Sequence, residues 1–292
     1  MHTRYLIILV LLLSYSRIVA VPSAGFFLPD SVFEFSMKYK TINDLIILPV
    51  RINDSITVNL ILDTGCRNLL LFGKKYEKIF QTQPRPVEFS GHGSGKPLMG
   101  RLSVNNHVSI GMVEGRRIPI IIIPEKNLFS TLPNIHGVIG YEIFAKFEIE
   151  FDFPQKVITF RTDPLFIRNP DFTYVSMNVV DSKPVMECSI ESEKGKEVIH
   201  DLLIDTGSSL GLIFSSGNNS KDGKTVGRGL SGTINGTNSI TKKMNLGGVE
   251  FNNIDTSVFF SERRYASIGM AILKDHVVIV NYARSYVAFK NT

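Results

Sequence analysis

Two segments, Asp63-Thr-Gly-Cys-Arg-Asn-Leu-Leu-Leu-Phe72 and Asp205-Thr-Gly-Ser-Ser-Leu-Gly-Leu-Ile-Phe214, repeat one pattern. Each sets Asp-Thr-Gly directly after an apolar run (Leu60-Ile61-Leu62 and Leu202-Leu203-Ile204) and before another. A single Asp-Thr-Gly is a tight turn with an acceptor side chain. Two in the same frame indicate a duplicated unit that supplies one carboxylate per copy. Upstream of the first, Val50 to Leu62 alternates apolar and polar residues around Asn53-Asp54, a hairpin signal. Its counterpart is Val185 to Ile190, a longer turn at Glu193 to Lys196, and Val198 to Ile204. Downstream, Val108 to Glu114 matches Met244 to Glu250, and Gly137-Val-Ile-Gly140 matches Ala266-Ser-Ile-Gly269. Both units close on a hairpin pattern, Ile149 to Phe160 and Val278 to Phe289, and the two closing blocks align without a gap. Solenoid repeats run about 20 to 50 residues. A period this long describes two similar domains instead. Asp163-Pro164 and Asn169-Pro170 break regular structure between them, which divides the chain into units at 21–165 and 166–292.

The residue usage leans toward Ile, Val, Phe, Gly and Asn with no long Ala/Leu/Glu/Lys stretch, so an all-β or mostly-β fold is expected. The short stretches Tyr141 to Lys146 and Met270 to Asp275 are the best helix candidates, and Ser220 to Asn238 reads as exposed loop or hairpin. The formal charge of +5 is spread over scattered basic residues, which is not the footprint of a nucleic-acid binder. Residues 1–20 read as a secretory signal peptide. Arg4 leads, Tyr5 to Leu13 is apolar, and Ile18-Val19-Ala20 is an imperfect small-residue cleavage site. The apolar run falls short of the roughly 18 to 20 residues a bilayer span needs, so no stable membrane span is expected after cleavage. Export permits disulfides, but with only Cys66 and Cys188 two free, mostly buried thiols are expected. The six histidines stand singly, and no pair has metal-ligand spacing. No metal and no cofactor are expected.

With Asp63-Thr64-Gly65, Asp205-Thr206-Gly207, Val138-Ile139-Gly140 and Ser267-Ile268-Gly269 in this order, nearly the whole chain from about Ser36 resembles the aspartic peptidases. It is similar to a retropepsin-like lobe present twice, as in pepsin-like two-lobed enzymes. The resemblance implies an all-β, bilobal, acid-protease-like barrel fold with two pseudo-symmetric lobes. It implies an exported endopeptidase acting on peptide or protein substrates as a monomer. Asp63 and Asp205 would then be the catalytic pair, side by side across a pseudo-two-fold axis. Two carboxyls about 3 Å apart cannot both ionise and share a proton. That is the division of labour that water activation requires. Thr64 and Thr206 are expected to bond the opposite loop's backbone, Gly65 and Gly207 to let N–H groups approach the carboxylates, and Ser208 to donate to Asp205. Cys66, at the position of Ser208, is a weaker donor.

Gly91 to Gly95 falls where the first lobe's substrate-covering flap should lie, with Gly93, Ser94 and Gly95 as flap candidates. Gly227 to Gly232 falls similarly in the second lobe, with Gly232 and Thr233 as candidates. The latter stretch matches G-x-G-x-x-G, but no helix pattern follows, so a dinucleotide site is not expected. Neither stretch has the tyrosine typical of pepsin-like flaps. Two other readings stay open: a non-catalytic peptide-binding protein of the same fold, and a protease whose dyads form only in a homodimer. Pro22 to Asp44 is short for a propeptide of the family, so little or no zymogen control is expected.

Overall fold

A computed structural model describes residues 24–80, 83–89, 98–124, 132–162, 167–191, 195–217, 223–230, 232–261 and 265–291. The expected signal peptide and the flap candidates Gly93, Ser94 and Gly95 lie outside these residues. Strand makes up 62% of the structure and helix 6%, so the fold is all-β as expected.

Six strands close on themselves in each half of the chain. In the first, Leu45–Ile52 pairs with Ile56–Leu62, which runs parallel to Gly137–Ile139. That short strand pairs with Leu69–Phe72, then Val113–Ile123 and Leu98–Ile110 follow, and the last returns to Leu45–Ile52. The second ring has the same order. It runs Lys183–Glu191, Glu197–Ile204, Ala266–Ile268, Leu212–Ser215, Val249–Phe259, Gly232–Leu246, and back to Lys183–Glu191. Closure leaves no unpaired edge within either barrel. Leu60, Leu62, Leu69, Leu71, Ile120 and Ile122 fill the first barrel and are fully buried.

Tight turns fix the registers. Asn53-Asp54 has φ of 50° and 51°, and Asn43-Asp44 and Asp181-Ser182 are likewise left-handed at 50°, 64°, 51° and 68°. Consecutive positive φ values in a two-residue loop match the right-handed strand twist. The first DTG loop is held from below by Gly140, where a β-carbon would come within 2.0 Å of the Cys66 carbonyl oxygen. Only a glycine lets that strand pass so close. The short helices Tyr141–Phe144 and Met270–Leu273 follow the two glycines. Within the expected Ser220 to Asn238 region, Lys224–Gly229 and Gly232–Leu246 pair as a hairpin, and residues 220–222 and 231 lie outside the described residues.

The barrels share a six-stranded antiparallel sheet. Glu148–Asp152 of the first half pairs with Val277–Asn281 of the second, with Ile149 opposite Val280. Val157–Arg161 and Glu34–Lys38 extend one side, and Tyr286–Lys290 and Phe172–Ser176 extend the other. Phe144, Phe151, Phe160 and Phe289, all fully buried, pack the core on this sheet. Among the described residues no helix is long and apolar enough to cross a membrane.

Candidate active site

Each DTG loop leaves a buried strand and turns at once. Asp63 N–H bonds the Ile139 carbonyl and Asp205 N–H the Ile268 carbonyl, both at 2.9 Å. The two aspartates therefore start from matched anchor points on the glycine-ended strands. Asp63 Oδ1 accepts the Gly65 N–H at 2.6 Å, and Asp205 Oδ1 accepts the Gly207 N–H at 3.1 Å. A β-carbon on Gly65 would lie 3.1 Å from Asp63 Oδ1 and 3.3 Å from Asp205 Oδ1, so both carboxyls converge on one stretch of backbone. One on Gly207 would strike the Asp63 carboxyl at 2.2 Å from Cγ.

The threonines tie the loops together beneath the carboxyls. Thr64 Oγ1 donates to the Ile204 carbonyl at 2.6 Å and accepts the Thr206 N–H at 3.1 Å. Reciprocally, Thr206 Oγ1 donates to the Leu62 carbonyl at 2.9 Å and accepts the Thr64 N–H at 3.1 Å. Both side chains are buried, at 0% and 1% exposure. Four satisfied bonds in a buried layer give the two loops one geometry. Tyr282 adds a fifth contact by donating to the Thr64 carbonyl at 3.1 Å. Its ring stacks on Phe144 with centroids 5.3 Å apart.

Burial and the Asp205 charge raise Asp63 well above the ordinary carboxyl range, while Gly65 N–H, the Lys183 ammonium and Cys66 N–H pull it back. A carboxyl held protonated beside a second carboxyl is the asymmetry that acid–base work needs. Position 66 behaves differently from its counterpart. Cys66 Sγ donates to the Asn68 carbonyl at 3.1 Å, and burial and the Asp63 charge push the thiol up. Ser208 Oγ accepts the Leu210 N–H at 3.4 Å. Both cysteines are free. Cys188 is buried as expected, and Cys66 is half-buried, lining the cleft and packed against the core.

That cleft, about 1050 Å³, runs between the barrels with Asp63 and Asp205 on its floor. Apolar side chains from both halves line it, among them Ile61, Ile121, Ile213 and Phe259. In the second half its wall is Arg228, Gly229, Leu230 and Ile234. The flap candidates Gly232 and Thr233 sit in the same hairpin, paired with Gly229 and Arg228, but are not lining residues themselves. Among the described residues three cations also face the cleft, Arg67, Lys183 and Arg228. Arg67 Nε donates across the halves to Ser182 Oγ at 3.2 Å.

Lys183, Tyr282 and Glu142 escaped the reading of the sequence. For two of them a signal existed in the gapless closing blocks, where Tyr282 stands opposite Phe153 and Glu142 opposite Ala271. Mismatches between otherwise aligned halves mark where one lobe does something its twin does not. Among the described residues no three His, Cys, Asp or Glu side chains cluster as metal ligands.

The family model for aspartyl proteases matches residues 48–143, from the first barrel's opening strand to its short helix and including Asp63 and Gly140. No curated protein matches the chain. The family match bears out the resemblance to the aspartic peptidases of retropepsin-like kind and supports a protease function.

Proposed function

We infer, from a first lobe that carries the aspartyl protease domain, that this chain is an exported aspartic endopeptidase with one active site built from both halves. The observation that supports this best is the convergence of Asp63 and Asp205 over one cross-bonded pair of loops at the floor of the cleft. In the working state the pair holds a single proton. The ionised carboxylate takes a proton from a water as its oxygen bonds the scissile carbonyl carbon. The protonated carboxyl gives its proton to the carbonyl oxygen, producing a neutral tetrahedral diol. Collapse breaks the carbon–nitrogen bond: one diol hydroxyl gives its proton to the ionised carboxylate as the carbonyl re-forms, the leaving amine takes the proton held by the other carboxyl, and the pair again holds a single proton. The shared proton belongs to the dyad and not to either residue. The thread of buried threonine bonds keeps the two carboxyls fixed, so little reorganisation is needed as charge moves.

A peptide-library digest by the purified chain, with and without a pepstatin-type inhibitor, tests this reading. Cleavage that the inhibitor suppresses is expected. Asp63→Asn and Asp205→Asn should each lower kcat/KM by about 10³-fold or more, since each removes one partner of a concerted unit. Circular dichroism should show both variants folded. Full activity in either would end the single-chain dyad.

A further inference from the structure

The two hairpins that enter the cleft are superimposable in register. Ile47 pairs with Ile61 two residues before Asp63, and Val185 pairs with Leu203 two residues before Asp205. Counting back, Leu45 corresponds to Lys183 and Asn43 to Asp181, each set just after or within an equivalent left-handed turn. All four residues line the cleft. So where the first half puts a buried leucine, at 5% exposure, the second puts an ammonium.

That ammonium is half-buried, and among the described residues it has no hydrogen bond and no ion pair. It lies close enough to the dyad to act on both Asp63 and Cys66. A partly desolvated cation with unspent donors is costly in the free protein, and a carboxylate that arrives with a ligand offsets that cost. Among the described residues the other charged groups facing the cleft are Arg67, Arg228, Glu88 and Asp181, all exposed. Solvent screens them, so they discriminate weakly. The dyad itself carries one negative charge in the working state and is committed to the reaction. It does not replace a partner for Lys183.

We propose that Lys183 is a specificity-determining residue that makes the cleft prefer substrates with an acidic side chain close to the bond being cut. The proposal rests on the peptidase reading for its reaction but not for its binding. It predicts an asymmetric preference, because the matching pocket of the other half, walled by Leu45, favours an apolar side chain.

Matched fluorogenic peptides test it, each carrying Glu or Gln at one position on either side of the cleaved bond. At about pH 5.5 the peptide glutamate is ionised. The wild-type chain should then cut one Glu peptide about tenfold faster in kcat/KM than its Gln twin, the range of one charge-assisted hydrogen bond. The ratio should shrink at about pH 3.5, where that glutamate protonates. Lys183→Leu, which installs the first half's residue, should bring the ratio to about one while still cutting the Gln peptide. Lys183→Arg and Arg228→Leu should keep the preference. A wild-type ratio near one at every position overturns the proposal, and so does an unchanged ratio in Lys183→Leu. If no peptide of either kind is cut, the peptidase reading fails, and the same pairs read by fluorescence anisotropy decide the matter. Tighter Glu than Gln binding that Lys183→Leu abolishes supports the role of Lys183, and equal binding overturns it.

Discussion

Gly65 and Gly207 occupy equivalent places in the two loops, yet the carboxyls do not treat them alike. A β-carbon at 207 would overlap the Asp63 carboxyl, with all three nearest atoms at 2.2 to 2.6 Å, while one at 65 meets oxygens at 3.1 and 3.3 Å. The Asp63 carboxyl leans over the second loop more than Asp205 leans over the first. Gly207→Ala should therefore displace Asp63 and cut kcat/KM by about 10²-fold or more, the scale of an ångström-sized misplacement of a reacting group. Gly65→Ala needs shifts of only tenths of an ångström and should stay within about tenfold of wild type. Steady-state kinetics on both variants checks the order, and equal losses would mean the lean has no kinetic weight. This asymmetry was not legible in the sequence, which gives both loops the same Asp-Thr-Gly. The identity of the aspartates and their threonine partners was legible, because the motif recurs in frame. The position of Cys66 was not, since side-chain direction at a turn depends on what packs beside it.

At the scale of elements, the two short helices differ in what they bury. Tyr141–Phe144 carries Glu142 where Met270–Leu273 carries Ala271. Burial pushes Glu142 up to about 7, against hydrogen bonds from its own N–H, the Asn68 side chain and the Leu69 N–H. Its Oε2 is buried with no hydrogen-bond partner. The folded state thus binds this proton more tightly than the unfolded chain does. The stabilisation is fully present below pH 4.5, the ordinary value, and is lost as pH rises through about 7. Glu142→Gln, which cannot ionise, should flatten the fall in stability between those pH values by roughly 2 to 3 kcal/mol. Urea unfolding of both proteins across that range measures it. Parallel curves would show that Glu142 is not the group responsible. The elements themselves were readable: hairpins from alternation around Asn53-Asp54, helices from the blocks after Gly140 and Gly269. The correspondence of Leu45 and Lys183 was hidden by the greater number of residues between the paired Glu191 and Glu197, which breaks the sequence alignment but not the strand register.

For the whole molecule, the pairing of Glu148–Asp152 with Val277–Asn281 joins the barrels through a continuous sheet. The sequence showed each closing hairpin but not that the two would pair with each other, because strand partners far apart in sequence leave no local pattern. With both loops supplied by one chain, activity should be first order in protein, and the active species should sediment as a monomer. The proposed export predicts a mass signature. The secreted chain should begin after Ala20 and weigh less than the full 32.6 kDa. Sedimentation and intact-mass measurements on the secreted material check both, and an active dimer that loses activity on dilution would contradict the first.

The strand order of the shared sheet reads the same from either end: 34–38, 157–161, 148–152, then 277–281, 286–290, 172–176. Its midline is the seam along which a lone half would join a twin of itself. In such a pair every substitution appears twice, once on each side, and a change useful on one side is imposed on the other. Covalent continuity lifts that symmetry constraint. Lys183, Glu142 and Tyr282 each exist in a single copy because the two halves, though built to one plan, are free to mutate separately.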